Sequence, residues 1–350
     1  MASSSGDLPA ELVRYVRQVQ FAEIGQEGQM RLRQSSALLV GCGALGSVIA
    51  ETLTRAGIGT LRLVDRDFVE LNNLQRQVLY NEQDVARHLP KAIAAADKLK
   101  QINHQVELDA HVQDVHFRNV QALVEGVDVI LDGTDNFETR FLINDVAMRH
   151  RIPWVYGGCL GATGQTLTVV PPDSPCLRCL YPEPPPAGST ETCDTAGIVA
   201  PVIQVIAAIQ AMEAIKVLTG RVDSVSCKLQ VIDLWENRIR QIGLDNLKPL
   251  EDCPCHQGNY PWLEGERASQ DAILCGRNAV QLRFPSAGTV SLEELETKLK
   301  PLGTVTRNPF LLRLEVAPHK LTVFGDGRAI IEGTQDVTEA RTLYARFIGN

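Results

Sequence analysis

Three glycines, Gly41, Gly43 and Gly46, stand at the GxGxxG spacing. That spacing lets backbone N–H groups approach phosphates at a helix N-terminus, where aligned peptide dipoles favour negative charge. Asp65 follows 19 residues after Gly46, about where an acid accepts hydrogen bonds from ribose hydroxyls. The motif alone does not separate ATP from NAD. Asp67, Asn72, Asn73, Gln75, Arg76 and Lys91 add more polar groups and cations than a dinucleotide's bridging phosphates require, and a triphosphate would use them. Asp135, in Gly133-Thr134-Asp135-Asn136, is placed where a carboxylate holds Mg²⁺ bridging phosphate oxygens. A second chemistry is carried by Cys176-Leu177-Arg178-Cys179 and, 74 residues later, Cys253-Pro254-Cys255-His256. Two short-spaced pairs make a tetrahedral structural zinc site. In the second pair Cys253 joins either Cys255 across one residue or His256 across two. Cys193 lies before a long helix, where a thiol can become nucleophilic, though a structural thiol fits the position equally. Cys42, Cys159, Cys227 and Cys275 fall in strand-like or tight settings and read as buried small hydrophobes.

These residues need a scaffold, and the hydrophobic pattern supplies one. Ser36 to Val40 reads as a strand running into the glycine turn and then a helix to Ala56. Strands are expected at Thr60–Val64, Val106–Val112 and Val127–Leu131, with helices over Pro90–Ile102 and Phe137–His150. Strands alternating with helices predict right-handed crossovers and an α/β, Rossmann-like, largely parallel sheet with helices on both faces. Further on, strands are expected at Trp154–Tyr156 and Gln165–Val170, a proline-rich loop at Pro171–Pro186, a long buried helix over Gly197–Leu218 and a strand pair across Cys227–Ile242. From about Ala268 the pattern restarts as a small C-terminal α+β domain, with Gly325-Asp326-Gly327 as a hairpin turn. The expected domains are 10–258 and 268–350.

Composition narrows the function classes. The 350 residues are 44% hydrophobic and 22% charged, with mean hydropathy −0.05; such a balance argues for a globular chain. The formal net charge of −8 opposes binding along nucleic acid by counterion release. The apolar stretch Ile198–Met212 is interrupted by Pro201, Gln204 and Gln210, so no membrane span is expected. The first seven residues lack a basic and an apolar segment, which predicts a cytoplasmic protein without a signal peptide. Nine cysteines in such a compartment stay reduced, and their clustering points to metal or thiol chemistry.

Arg14-Tyr15-Val16-Arg17-Gln18 reads from spacing alone as a surface helix with two arginines. Taken in order with the glycine loop, Asp65-Arg66-Asp67, Asn73-Leu74-Gln75-Arg76-Gln77, Pro90-Lys91, Asp132 to Asn136, Cys176 to Cys179 and Cys193 to Pro201, it makes residues 10–258 resemble the ThiF/MoeB/HesA family of E1-like adenylyltransferases. The resemblance implies ATP-dependent adenylation of the C-terminal glycine of a ubiquitin-like sulfur carrier (ThiS- or MoaD-like, ending in Gly-Gly). Pyrophosphate is released and the carrier is readied for thiocarboxylate formation in thiamine or molybdenum-cofactor biosynthesis. It further implies that Arg17 reaches in trans across a homodimer to the ATP phosphates and that Asp65 holds the ribose. Asn73, Arg76 and Lys91 contact phosphates, Asp135 binds Mg²⁺, and Cys193 takes part in sulfur transfer in some members. A sulfur donor such as a cysteine desulfurase or rhodanese is the implied second partner.

The chain departs from the family pattern at the second zinc knuckle, usually Cys-x-x-Cys, where His256 stands in the last position. Cys255 is the expected fourth ligand beside Cys176, Cys179 and Cys253, because the other three are thiolates, with His256 as its rival. The tail from Ala268 lacks a cysteine-centred active loop and is expected to be a carrier-docking or oligomerisation module. Two competing functions are a non-catalytic E1-like scaffold that binds a ubiquitin-like partner and an NAD-dependent oxidoreductase. The scaffold is opposed by Arg17, Arg76, Lys91 and Asp135 occurring together, the oxidoreductase by the cations and cysteine pairs that it leaves without a role.

Overall fold

The computed structural model describes residues 8–185, 196–244, 250–267, 271–274, 278–282 and 290–348. The chain divides into two compact units, one made of residues up to Pro185 with Ile198–Glu266, the other running from Arg267.

The first unit is built on eight strands: β1 (Ser36–Val40), β2 (Thr60–Val64), β3 (Glu107–His111), β4 (Val129–Asp132), β5 (Trp154–Leu160), β6 (Thr163–Val169), β7 (Leu229–Asp233) and β8 (Arg238–Ile242). Their order is β3-β2-β1-β4-β5-β6-β7-β8. Pairings from β3 through β5 are parallel, and β6, β7 and β8 add on antiparallel. Strand order therefore reverses between β1 and β4, and the crevice beyond the carboxyl ends of those strands is where open α/β sheets bind ligands.

Helices cover both faces. Six of them are α1 (Val16–Val19), α2 (Gly25–Gln34), α3 (Ala44–Ala56), α4 (Lys91–Ile102), α5 (Phe137–His150) and α6 (Ala200–Leu218). Alternate strand residues Ala37, Leu39, Leu61, Leu63, Val129 and Leu131 pack with α3, α4 and α6. The opposite set, Leu38, Val40, Val64 and Ile130, packs with Phe141, Ile143 and Val146 of α5. The period-two alternation of buried strands is thus split between two helical layers, as parallel sheets require. Two of the helix ends show a local cause. Gly57 closes α3 in the left-handed region at φ 86°, where glycine carries no Cβ penalty. Asn136 opens α5 by accepting the Thr139 N–H at 2.9 Å.

By length and composition α6 is apolar enough to cross a membrane, yet Val202, Ile203, Ile206, Ala207 and Ala214 sit in the core. Its Gln210 is fully buried and donates to Asp132 O at 2.9 Å, with Val155 O at 3.2 Å.

The second unit is a six-stranded antiparallel sheet of order β11-β12-β13-β14-β10-β9, formed by β9 (Asp271–Leu274), β10 (Ala279–Leu282), β11 (Thr304–Arg307), β12 (Leu311–Val316), β13 (His319–Phe324) and β14 (Ala329–Glu332). One face packs Leu295 and Leu299 of α7 (Leu292–Leu299) and Ala340, Tyr344 and Phe347 of α8 (Val337–Phe347). Gly325-Asp326-Gly327 lies in the connection between β13 and β14. Two short strands, β9 and β11, had no expectation in the sequence.

Candidate functional site

The glycine loop joins β1 to α3 and rests on the end of β4. Gly41 has φ +91°, and a Cβ there would lie 2.6 Å from Gly133 O. A Cβ on Gly46 would overlap Gly41 O. Only glycine permits both contacts. Gly43 is the N-cap of the 13-residue α3, whose first-turn N–H groups offer an anion site at the strand-order reversal.

Asp65 follows β2 directly and is nearly buried. Its two carboxylate oxygens accept the Cys42 N–H at 2.7 Å and the Asp67 N–H at 2.6 Å, which ties the acid to the glycine loop. Burial lifts this carboxyl above the usual range, against the pull of Lys91. Lys91, 5% exposed, begins α4 and holds Nζ 3.4 Å from Asp67 Oδ2. Tyr80 Oη donates to Cys42 O at 2.6 Å, so the segment after Asn73 wraps back onto the loop. Within it, Asn73 Oδ1 accepts the Glu70 N–H at 3.1 Å, and Arg76 Nη1 donates to Asn72 O at 2.8 Å.

At the end of β4, Asp132 is fully buried. Its Oδ1 accepts the Thr134 N–H and hydroxyl at 2.8 and 2.7 Å, and its Oδ2 meets Arg140 Nε at 3.3 Å. Arg140 Nη2 also donates to Thr134 O at 2.7 Å and reaches Gly157 O at 3.1 Å. Asp135 is left exposed on this braced turn. Gly41, Gly43, Gly46, Asp65, Asp67, Lys91 and Asp135 are therefore gathered at the ends of three neighbouring strands. Arg140 and Tyr80 pack against the same turn and loop, and neither stands out in the sequence; Asp132 and Gln77 lie within the quoted motifs but have no individual role there. For Arg140 the signal was its place one helical turn after Asn136, on the face turned to Asp132.

Arg17 is not part of this gathering. It is exposed on α1, bonded to Gln20 Oε1 at 3.1 Å, while its neighbour Gln18 donates to Ala56 O at the far end of α3. Thirteen helical residues span about 20 Å, which separates Arg17 from the glycine loop of its own chain. Cys193 lies outside the described residues, as does Cys275. Cys42 is buried, and burial pushes its thiol up. Cys159 and Cys227 are only half-buried, a correction to their expected burial: β5 and the turn before β7 leave part of each side chain uncovered.

The cysteine pairs do meet. The ligand atoms of Cys176, Cys179, Cys253 and His256 all lie within 4.8 Å of one another. Cys176 Sγ is 3.7 Å from Cys253 Sγ and 3.8 Å from Cys179 Sγ, and Cys179 Sγ is 3.9 Å from His256 Nδ1. Zinc–sulfur bonds of about 2.3 Å in a tetrahedron put sulfurs about 3.8 Å apart, so the cluster fits that ion. His256 Nε2 faces Ser174 O at 3.2 Å, the outer bond that fixes an imidazole with Nδ1 free for a metal. The expected fourth ligand, Cys255, stands outside this quartet. Its Sγ accepts from Asn144 Nδ2 at 3.2 Å and faces Asp145 Oδ1 at 3.4 Å, because two residues beyond Cys253 the turn aims its side chain at α5. Burial pushes the Asp145 carboxyl up to about 6.

The ThiF family matches residues 15–255, and the chain belongs to that family. It is 42% identical to the sulfur carrier protein ThiS adenylyltransferase of Bacillus subtilis (strain 168) over 340 residues, 96% of this chain and 99% of that relative. It is 38% identical to the adenylyltransferase and sulfurtransferase MOCS3 of Anopheles gambiae over 68% of this chain, but spans only 54% of that relative. Among solved structures, E. coli MccB with MccA aligns at TM-score 0.59 and 22% identity, over 69% of this chain and 76% of that one, a likeness of fold alone.

Proposed function

We propose that this chain is an adenylyltransferase that joins AMP to the C-terminal glycine of a ubiquitin-like sulfur carrier of the ThiS or MoaD kind and releases pyrophosphate. The observation that carries the proposal is the convergence of the glycine loop, Asp65 and the Asp132–Asp135 turn where strand order reverses. The near full-length similarity to a ThiS adenylyltransferase supports the carrier as substrate and thiamine synthesis as its pathway, with molybdenum-cofactor synthesis as the parallel case.

A carboxylate is already nucleophilic at neutral pH, so no general base is required. The protein's task is alignment and neutralisation of charge on the α-phosphate and leaving pyrophosphate. Glycine-loop N–H groups, Asn73, Arg76 and Lys91 face the phosphates, Asp67 pairs with Lys91 on the same side, and Asp65 holds the ribose. Asp135 holds Mg²⁺, which neutralises phosphate charge when bound. Arg17 comes from a second copy of the chain, since its own glycine loop is out of reach. Cys176, Cys179, Cys253 and His256 hold zinc, which staples the loop before Cys176 to the end of the unit. The C-terminal unit, residues 268–350, serves carrier docking or assembly beside the adenylating domain, residues 10–258. Cys193 and a desulfurase or rhodanese act in the following sulfur transfer, in the cytoplasm.

Carrier-dependent exchange of labelled pyrophosphate into ATP tests this. Exchange is expected with one Gly-Gly carrier and its loss in Arg17→Ala and Asp135→Ala. Normal ATP binding with no exchange for any carrier would instead make the chain a scaffold.

A further inference from the structure

Arg66 stands between the two acids that follow β2, and its guanidinium joins two further parts of the site. Nη1 lies 3.3 Å from Asp114 Oδ1, and Nε lies 4.0 Å from Asp67 Oδ1. The other oxygen of Asp67, Oδ2, faces Lys91 Nζ at 3.4 Å. Asp114 is buried beyond the end of β3, where Asn119 Nδ2 donates to its carbonyl oxygen at 2.8 Å. Lys91 is fixed at its backbone too, since its N–H donates to Asp67 O at 2.9 Å. The four side chains therefore form a row of alternating charge, Asp114, Arg66, Asp67, Lys91, with the lysine at one end. Burial opposes the charge on Arg66, but Asp114, Asp67, Asp135 and Asp65 outweigh it and hold the guanidinium above its usual range. Partly buried charges are only weakly screened by salt, so each member of the row acts on the next.

Asp67 is shared by two cations, one to each oxygen. A carboxylate left to Lys91 alone would cancel the lysine's charge, whereas one shared with Arg66 leaves positive charge over for an anion at Lys91. We propose that Arg66 is a positioning residue for the adenylation reaction: by holding Asp67 on the side away from Lys91, it leaves the lysine's charge to the phosphates of the nucleotide. Asp114 is the anchor that keeps the guanidinium on Asp67 Oδ1. Arg66 itself touches no phosphate in this role. The inference rests on the proposal above that Lys91 faces the phosphates.

The test measures ATP and adenosine binding to the full-length protein and to Arg66→Met, alone and combined with Asp67→Asn. Arg66→Met is expected to weaken ATP binding about 10-fold, because Asp67 is then left to Lys91 alone, with adenosine affinity unchanged. In the Asp67→Asn background the same substitution is expected to change ATP affinity less than about 2-fold, because the carboxylate that Arg66 occupies is gone. Arg66→Lys keeps the charge and is expected to recover most of the loss. Arg66→Gln keeps a hydrogen bond to Asp114 without the charge, and is expected to repeat the ATP-only loss even where the Met variant does not fold. Unchanged ATP affinity in the uncharged variants, an equal loss for adenosine, or a loss that persists in the Asp67→Asn background would each overturn the role given to Arg66. Wild-type protein that binds ATP no more tightly than adenosine would instead overturn the underlying placement of Lys91 at the phosphates.

Discussion

Arg140 Nε stands 3.3 Å from Asp132 Oδ2, and the pair is closed off from solvent beneath the turn that presents Asp135. The guanidinium also lies 5.5 Å from the Phe137 ring centre and 5.4 Å from that of Tyr156, so packing holds it as firmly as charge. Burial lifts the Asp132 carboxyl above the usual range, while Arg140 and the bonds from Thr134 pull it down. Removing one member of a buried pair strands the other, at a cost of about 3–5 kcal/mol. Arg140→Met is expected to lose about that much in urea unfolding, and Asp132→Asn added to it is expected to recover part of the loss. A single variant as stable as wild type would show that the pair does not brace the turn.

The glycine loop gives a contrast between neighbours. Gly46→Ala drives a Cβ into Gly41 O, whereas a Cβ on Gly43 meets nothing closer than 3.8 Å. Gly46→Ala should therefore be poorly folded or bind no ATP. Gly43→Ala should keep its circular dichroism and melting temperature, and lose only ligand affinity. Equal melting temperatures for the two would contradict the loop geometry.

Metal content separates the rival ligands. His256→Ala is expected to lose bound zinc, and Cys255→Ala to retain it, because His256 and not Cys255 completes the close quartet. Zinc assay after purification in a chelator-free buffer reads this directly. Prolonged chelation of the wild type should lower its melting temperature, since ligand binding to the native state is folding free energy. Zinc retained by His256→Ala and lost by Cys255→Ala would reverse the assignment.

Complementation tests the second copy. Arg17→Ala and Asp135→Ala are each expected to be inactive, but a mixture refolded together should regain exchange activity, since one mixed site has both residues intact. Statistical mixing of a symmetric dimer puts the recovery at about a quarter of wild type. No recovery from a mixture shown to contain mixed dimers would place Arg17 in its own chain's site or outside any site.

Local pattern explains what was readable in advance. The first-unit strands, the helices between them, the glycine turn and the acids ending β2 and β4 are each set by a few consecutive residues, and the family motifs follow that order. What escaped depends on distant partners. Arg140 looks like an ordinary charge on α5 until Asp132 and Gly157 O are placed beside it. Cys255 against His256 turns on which way two adjacent side chains point, and Ser174 and Asn144 decide that from 82 and 111 residues away. The strand β11 has three exposed residues of four, so its sequence lacks the apolar alternation that marks a strand; its partner β12 supplies the register.

One amide ties the cysteine cluster to the nucleotide side. Asn144 of α5 accepts the Leu177 N–H at 2.8 Å through Oδ1 while its Nδ2 reaches Cys255 at 3.2 Å, and next to it Asp145 accepts the Trp262 N–H at 2.9 Å. The helix that carries Arg140 in its first turns is thus clamped about 6 Å further along its axis by the chain around the knuckles. The cysteine cluster acts as the fixed footing of a rigid rod, and the rod's free end sets where the turn carrying Asp135 stands.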